Sequence, residues 1–198
     1  MLGKSKLLET IAPLNRGLSA TPQDQQAILA QIIQLEERNP TPNPTATPSL
    51  LEGDWRLLYT TSQELLGIDR FPLLQLGKVY QSIRLDNQRV FNIAELEGIP
   101  LLEGIVSVAA QFEIVSEKRL NVQFQRGVFG LRNFLAYRSP SQFIMDFEQK
   151  LAQKQRFFAI DFDIQPRERP GWIDLTYLDT NLRINRGSEG SVFVLIKD

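Results

Sequence analysis

Residues 106–114 read VSVAAQFEI, and after a short gap residues 120–125 read LNVQFQ. In the first stretch Val106, Val108, Ala110, Phe112 and Ile114 alternate with Ser107, Ala109, Gln111 and Glu113. In the second, Leu120, Val122 and Phe124 alternate with Asn121, Gln123 and Gln125. A period of two marks a strand with one dry face and one wet face. Glu117-Lys118 between them is a turn signal. Residues 158–165 repeat the pattern: Phe158, Ile160, Phe162 and Ile164 alternate with Ala159, Asp161, Asp163 and Gln165. Shorter candidates are 55–61, 78–85, 90–96, 172–178, 182–185 and 191–196, punctuated by Asp86-Asn87, Gly98, Pro170-Gly171 and the 187–190 turn. About nine short strands with tight turns predict an antiparallel barrel or sandwich, interrupted by one helix over 141–154.

The chain has 198 residues, enough for one domain with an appendage. Lys+Arg number 22 against 23 Asp+Glu, a net charge of −1 that argues against a phosphate-backbone binder and so against nucleic acid as a partner. Cys and His are both absent. That excludes a thiolate nucleophile, a Ser–His triad, and Cys- or His-ligated metal. No apolar run is long enough for a membrane span, and the first ten residues, MLGKSKLLET, lack the apolar core of a signal peptide. Contact with a membrane would be peripheral.

Residues 1–38 read as a helical segment. Leu7, Leu8, Ile11 and Leu14 form one stripe at helical spacing, with Pro13 as a kink and Gly17 as a stop. Thr21 as N-cap, Pro22 at the first helical position and Asp24 in the first turn open a second helix, whose stripe is Ile28, Leu29, Ile32 and Leu35. Two helices packed on the main domain, or a detachable arm that binds a protein partner, both fit. Residues 39–49, NPTPNPTATPS, form an extended Pro-rich linker, and the β domain runs from 50 to 198. Residues 65–76 and 128–137 are too apolar for plain connectors; the first is placed to be a lid over a barrel mouth.

Few constellations suggest chemistry. Asp161 and Asp163 stand at i, i+2, a spacing that suits paired carboxylates, but they share the polar face of their strand and read as a solvated pair, as do Glu95 and Glu97. The GxxG spacings at 127–130 and 187–190 read as hairpin turns, and there is no phosphate-binding glycine motif. The strongest local feature is Gly53-Asp54-Trp55 at a strand start. An indole there plugs a barrel end, and the guanidinium of Arg183, between Leu182 and Ile184, can stack on it. A core Trp and an unrelated surface Arg is the plainer alternative.

The chain resembles the PAP/fibrillin family of plastid-lipid-associated proteins. LEERNPTP (35–42), LLEGDWRLLYTTS (50–62), VYQSI (79–83), Phe91-Asn92 and, above all, YLDTNLRINRGSEGSVFVL (177–195) carry the resemblance. Without a recognisable transit peptide, it looks like a bacterial, cyanobacterium-type member. The resemblance implies a lipocalin-like antiparallel β-barrel preceded by two amphipathic helices. It also implies a non-enzymatic protein that binds a carotenoid, quinone or membrane lipid, is cytoplasmic and peripheral to the thylakoid membrane, and serves photosystem maintenance or photoprotection. No cofactor is expected. The expected interior is Val108, Phe112, Ile114, Val122, Phe124, Phe158, Ile160 and Phe162. Trp55, Arg183, Phe112, Phe124 and Phe158 are the candidate ligand contacts, with Tyr59, Tyr80 and Gln81 as polar handles for a ligand head. Two other readings stay open: an interaction scaffold with a filled barrel, and an enzyme on a lipophilic substrate using Glu95, Asp54 or Tyr59.

Overall fold

The computed structural model describes residues 2–70, 74–98, 102–166, 168–188 and 190–198. Two helices come first. α1 covers Leu2–Ile11 and α2 Pro22–Glu36. The start of α2 is the capping box its sequence spells: the Thr21 side chain accepts from the Asp24 N–H while Asp24 accepts from the Thr21 N–H. Between the helices, Asn15, Arg16 and Gly17 turn through left-handed backbone. Gly17, at φ +108°, runs so close to β1 that a Cβ would sit 2.4 Å from the Thr60 carbonyl oxygen.

The Pro-rich stretch that follows is packed, unlike a free linker. Pro44 and Thr45 are buried. Thr41 Oγ1 donates to the Leu178 carbonyl at 2.7 Å, and Thr45 Oγ1 donates to the carbonyl of Glu117 at 2.9 Å. This strap leads through the single turn of α3, Pro48–Leu51, into the sheet.

The strands are β1 Gly53–Thr60, β2 Leu74–Arg84, β3 Arg89–Gly98, β4 Gly104–Ile114, β5 Arg119–Leu131, β6 Ile160–Asp163, β7 Gly171–Leu178, β8 Leu182–Gly187 and β9 Val192–Lys197. A short helix α4, Gln63–Leu66, follows β1, and α5, Pro140–Ala152, follows β5. All pairings are antiparallel. The order β4-β3-β2-β1-β9-β8-β7-β5 closes on itself because β4 also pairs with β5. Eight strands thus form a closed ring. β6 stands outside it, hydrogen-bonded to the second half of β5, whose first half holds β7.

Three apolar clusters follow from that geometry. The inner one joins Leu51, Trp55, Val79, Val90, Phe112, Val122 and Leu195, with Phe124 partly buried against it. Leu65 and Ile68, in the segment expected to be a lid, also pack on it; Phe71, Pro72 and Leu73 of that segment lie outside the described residues. A second cluster joins Leu7, Ile11, Ile28 and Ile32 of the helices to Tyr59, Tyr177, Ile184 and Val194 on the outer face of the sheet. A third puts Phe143, Ile144 and Phe147 of α5 against Phe91, Ile93 and Val128.

Several expectations are corrected here. Gly127–Gly130 is strand, within β5, and not a turn; the Gly187 spacing does mark the β8–β9 hairpin, although Glu189 lies outside the described residues. Val108 is half-buried. Ile114, Phe158, Ile160 and Phe162 are exposed and are not interior. Nor are Asp161 and Asp163 a solvated pair, since the Asp161 carboxylate is buried.

Candidate functional site

The ring has two ends: one, the closed end, plugged by Trp55, and the other, the open end, bordered by β6 and, among the described residues, by Leu65 and Ile68. At the closed end Trp55 and Arg183 are both fully buried, with the guanidinium carbon 4.6 Å from the indole centroid. The register explains the meeting: Trp55 faces Gln81 on one side and Lys197 on the other, and Arg183 faces Leu195 on β9. The Trp55 indole N–H donates to the Leu51 carbonyl at 3.0 Å, so the strap caps the plug. Arg183 Nη2 donates to Gln81 Oε1 at 2.5 Å. Its Nε and Nη1 have no hydrogen-bond partner, and no carboxylate pairs with it among the described residues. Burial pushes the Arg183 pKa down to about 9.

Among the described residues the interior between the two ends is filled. A void lined by Gln81, Ile83, Val90, Phe112, Val122 and Asn185 measures about 10 Å³, near the limit for one water molecule. Phe112 lines this void, and Phe124 packs partly buried against the inner cluster. Tyr59 and Tyr80 do not face the interior: a register shift after Leu57 turns Tyr59 outward beneath the helices, and Tyr80 lies in the outer cluster under α5. The candidate acid–base groups are elsewhere too. Glu95 accepts from the Tyr137 hydroxyl at 2.7 Å, and Asp54 accepts from Ser82, Ser141 and Arg84. Among the described residues no cluster of acidic side chains could hold a metal ion.

At the open end the structure reverses the sidedness of β6. Its alternation is as read, but the aromatic face is the wet one: Phe158 is 84% exposed, Ile160 62% and Phe162 49%. On the charged face Asp161 is covered while Asp163 is exposed. Arg126 and Asp161 form a bidentate pair at 2.7 and 2.5 Å, with side chains 5% and 2% exposed. The Phe157 N–H adds a third bond to that carboxylate, and Arg156 a fourth at 3.1 Å. Burial alone would raise the Asp161 pKa; these four donors outweigh it and hold the carboxyl below its usual range. The guanidinium of Arg126 also lies 5.4 Å from the Phe147 ring, which fixes it under α5.

The aromatic face continues the inner wall of the ring. Ile160 stands opposite Phe129, and Phe162 opposite Gly127; these in turn stand opposite Val106 and Val108. Cross-strand partners share a face, so β6 extends the wall outward as a lip. Gly127 makes this possible, because a Cβ there would sit 2.6 Å from the Phe162 ring. Phe134 stacks edge-on against Phe158 at 6.0 Å and is itself exposed. Sequence reasoning found Phe158, Ile160 and Phe162 but put them inside; it named neither Phe129 nor Phe134 as contacts, and only their apolar loop signalled them.

No solved structure matches the chain significantly. It is 34% identical over 98% of its length, and 67% of the relative's, to the light-induced chloroplastic protein of Solanum tuberosum. With the probable plastid-lipid-associated protein 2 of Arabidopsis thaliana it shares 33% identity over 98% of this chain and 70% of that one. With the chromoplast-specific carotenoid-associated protein of Cucumis sativus the figures are 32%, 98% and 67%. The PAP_fibrillin family model matches residues 1–196, and the chain belongs to that family.

Proposed function

We propose that this protein catalyses no reaction and works by associating with lipid, holding an isoprenoid-type molecule (a carotenoid, a quinone or a membrane lipid) against the lip at the open end of the ring. Its place would be at the periphery of a photosynthetic membrane, in photosystem maintenance or photoprotection. The observation that carries this reading is the reversed strand: Phe158, just before β6, and Ile160 and Phe162 within it face the outside while the Arg126–Asp161 pair is held beneath. Exposing three large apolar side chains costs a few kcal/mol that something apolar must recover by covering them. The filled interior argues for binding at the mouth over enclosure. Names of the relatives point the same way, one as plastid-lipid-associated and one as carotenoid-associated. Among the described residues no helix is long and apolar enough to cross a membrane.

The test is flotation of the full chain with phosphatidylcholine vesicles carrying β-carotene. The parent should float with the vesicles, and the double variant Phe158→Ser/Phe162→Ser should lose at least tenfold in partitioning. Equal flotation of both would overturn the lip as the lipid contact.

The filled ring also suits an interaction scaffold. That reading loses its arm, however, because α1 and α2 are built into the second cluster. Lys4 pairs with Asp179 at 2.7 Å and Glu36 with Arg186 at 2.8 Å, tying both helices to the sheet.

A further inference from the structure

Positive charge is unevenly spread along the chain. Residues 126–169, from the middle of β5 through α5 and β6, carry eight Lys or Arg against five Asp or Glu, a net +3 in a chain whose total is −1. This is the stretch that builds the lip. Carboxylates on and around the lip strand are already paired: Asp161 with Arg126, Asp163 with Arg156 at 2.6 Å, and Glu103 with Arg132 at 3.2 Å. Two cations are left over. Arg138 and Lys154 are exposed, and neither side chain has an ion pair or hydrogen bond among the described residues.

Both stand close to the bare aromatics. Arg138 follows Phe134 by four residues, and Lys154 precedes Phe158 by four. Four residues of chain span at most about 14 Å, and the Phe134 and Phe158 rings meet edge-on at 6.0 Å. Lys150 adds a third cation, its Nζ 5.2 Å from the Phe157 ring. Large apolar side chains flanked by long cationic ones suit a bilayer with anionic headgroups: the rings enter the boundary between headgroups and acyl chains, and the charged tips stay at headgroup level. A lone isoprenoid offers those cations nothing.

We infer that the lip is a docking surface for a bilayer carrying anionic headgroups, with Phe134, Phe158 and Phe162 entering the lipid and Arg138 and Lys154 holding headgroup phosphates. This rests on the lip as the lipid contact and adds the charge that it selects. The test is flotation of the full chain with two kinds of vesicle carrying β-carotene: phosphatidylcholine alone, and phosphatidylcholine with about 30% phosphatidylglycerol. With two cations at the surface, the anionic vesicles should take up the parent about tenfold more strongly at low salt. Salt at about 0.5 M should remove that gain. Arg138→Gln/Lys154→Gln should lose the gain and still float with phosphatidylcholine as the parent does. Lys6→Gln/Lys118→Gln makes the same change of charge at exposed positions on α1 and on the turn at the plugged end, and should keep the gain. The inference is overturned if the parent takes to both vesicles equally, or if the two double variants lose the gain alike. The lip itself survives that outcome if Phe158→Ser/Phe162→Ser still weakens flotation with phosphatidylcholine. A parent that floats with neither vesicle overturns both.

Discussion

The two ends of the ring solve opposite problems with the same kind of strand. At the closed end β8 alternates Leu182, Ile184 and Arg183, Asn185, and it is the charged side that faces inward, onto Trp55. At the open end β6 alternates Ile160, Phe162 and Asp161, Asp163, and there the charged Asp161 is covered while the greasy side is left bare. In both places the layer outside the strand decides: α1 and α2 supply an apolar cover for Leu182 and Ile184, whereas the Arg126 guanidinium under α5 supplies an ionic cover for Asp161. Alternation announces that a strand has two unlike faces. Which of them meets water depends on what is stacked beyond it.

The contrast can be broken first at the plug. Trp55→Ala removes a fully buried indole and its bond to Leu51, and should cost about 3–5 kcal/mol in a denaturant titration. A loss below about 1 kcal/mol would mean the closed end is not held by this ring. Next comes the pair beneath the lip. Asp161→Asn leaves Arg126 buried without its countercharge and should cost about 3 kcal/mol. Its pH signature has a definite sign. The folded carboxyl titrates below the unfolded value of about 3.9, so its contribution is whole above that value and disappears as pH falls through the folded one. Acid unfolding monitored by tryptophan fluorescence should therefore be less steep in Asp161→Asn than in the parent.

Arg183 sharpens the contrast, since it lacks the carboxylate that Arg126 has. Arg183→Met should change stability by no more than about 1 kcal/mol at pH 7, because the charge it removes is uncompensated. Below pH 9 the folded guanidinium is charged and its burial penalty is complete. Above that point the unfolded chain, whose guanidinium keeps its ordinary higher pKa, binds more protons, so the penalty fades as pH rises. Any advantage of Arg183→Met over the parent should shrink over the same interval in urea titrations. The smallest effect belongs to the lip: Phe158→Ser should shift stability by less than about 0.5 kcal/mol, as expected for an exposed site.

Much of the fold is readable from residue order alone. The period of two locates the strands, Thr21-Pro22 with Asp24 locates the start of α2, and the helix expected over 141–154 is α5, which begins at Pro140. The residue pattern alone leaves barrel and sandwich open; the closed ring and the pairing of Trp55 with Arg183 enter as expectations through the lipocalin-like resemblance. What was not legible arises from the third dimension. A register shift of one residue after Leu57 sends Tyr59 to the opposite face, and such a shift has no signature in GDWRLLYT. The burial of Asp161 needs Arg126 from a strand more than thirty residues earlier. The packing of residues 39–49 rests on two threonine hydroxyls and ordinary carbonyls, which look the same in a loose tether.

The seam between β1 and β9 has a bearing on how the molecule is made. β1 is among the first strands to leave the ribosome, and its partner in the register Trp55 to Lys197 among the last. Until that partner arrives, one flank of β1 has bare amides, with the indole and the inner row of greasy side chains open to view. Closing so distant a join is slow. Assembly therefore passes through an unzipped sheet prone to stick to its neighbours, and any lesion that delays the last hairpin should be seen first as aggregation in the cell, ahead of any loss of lipid association.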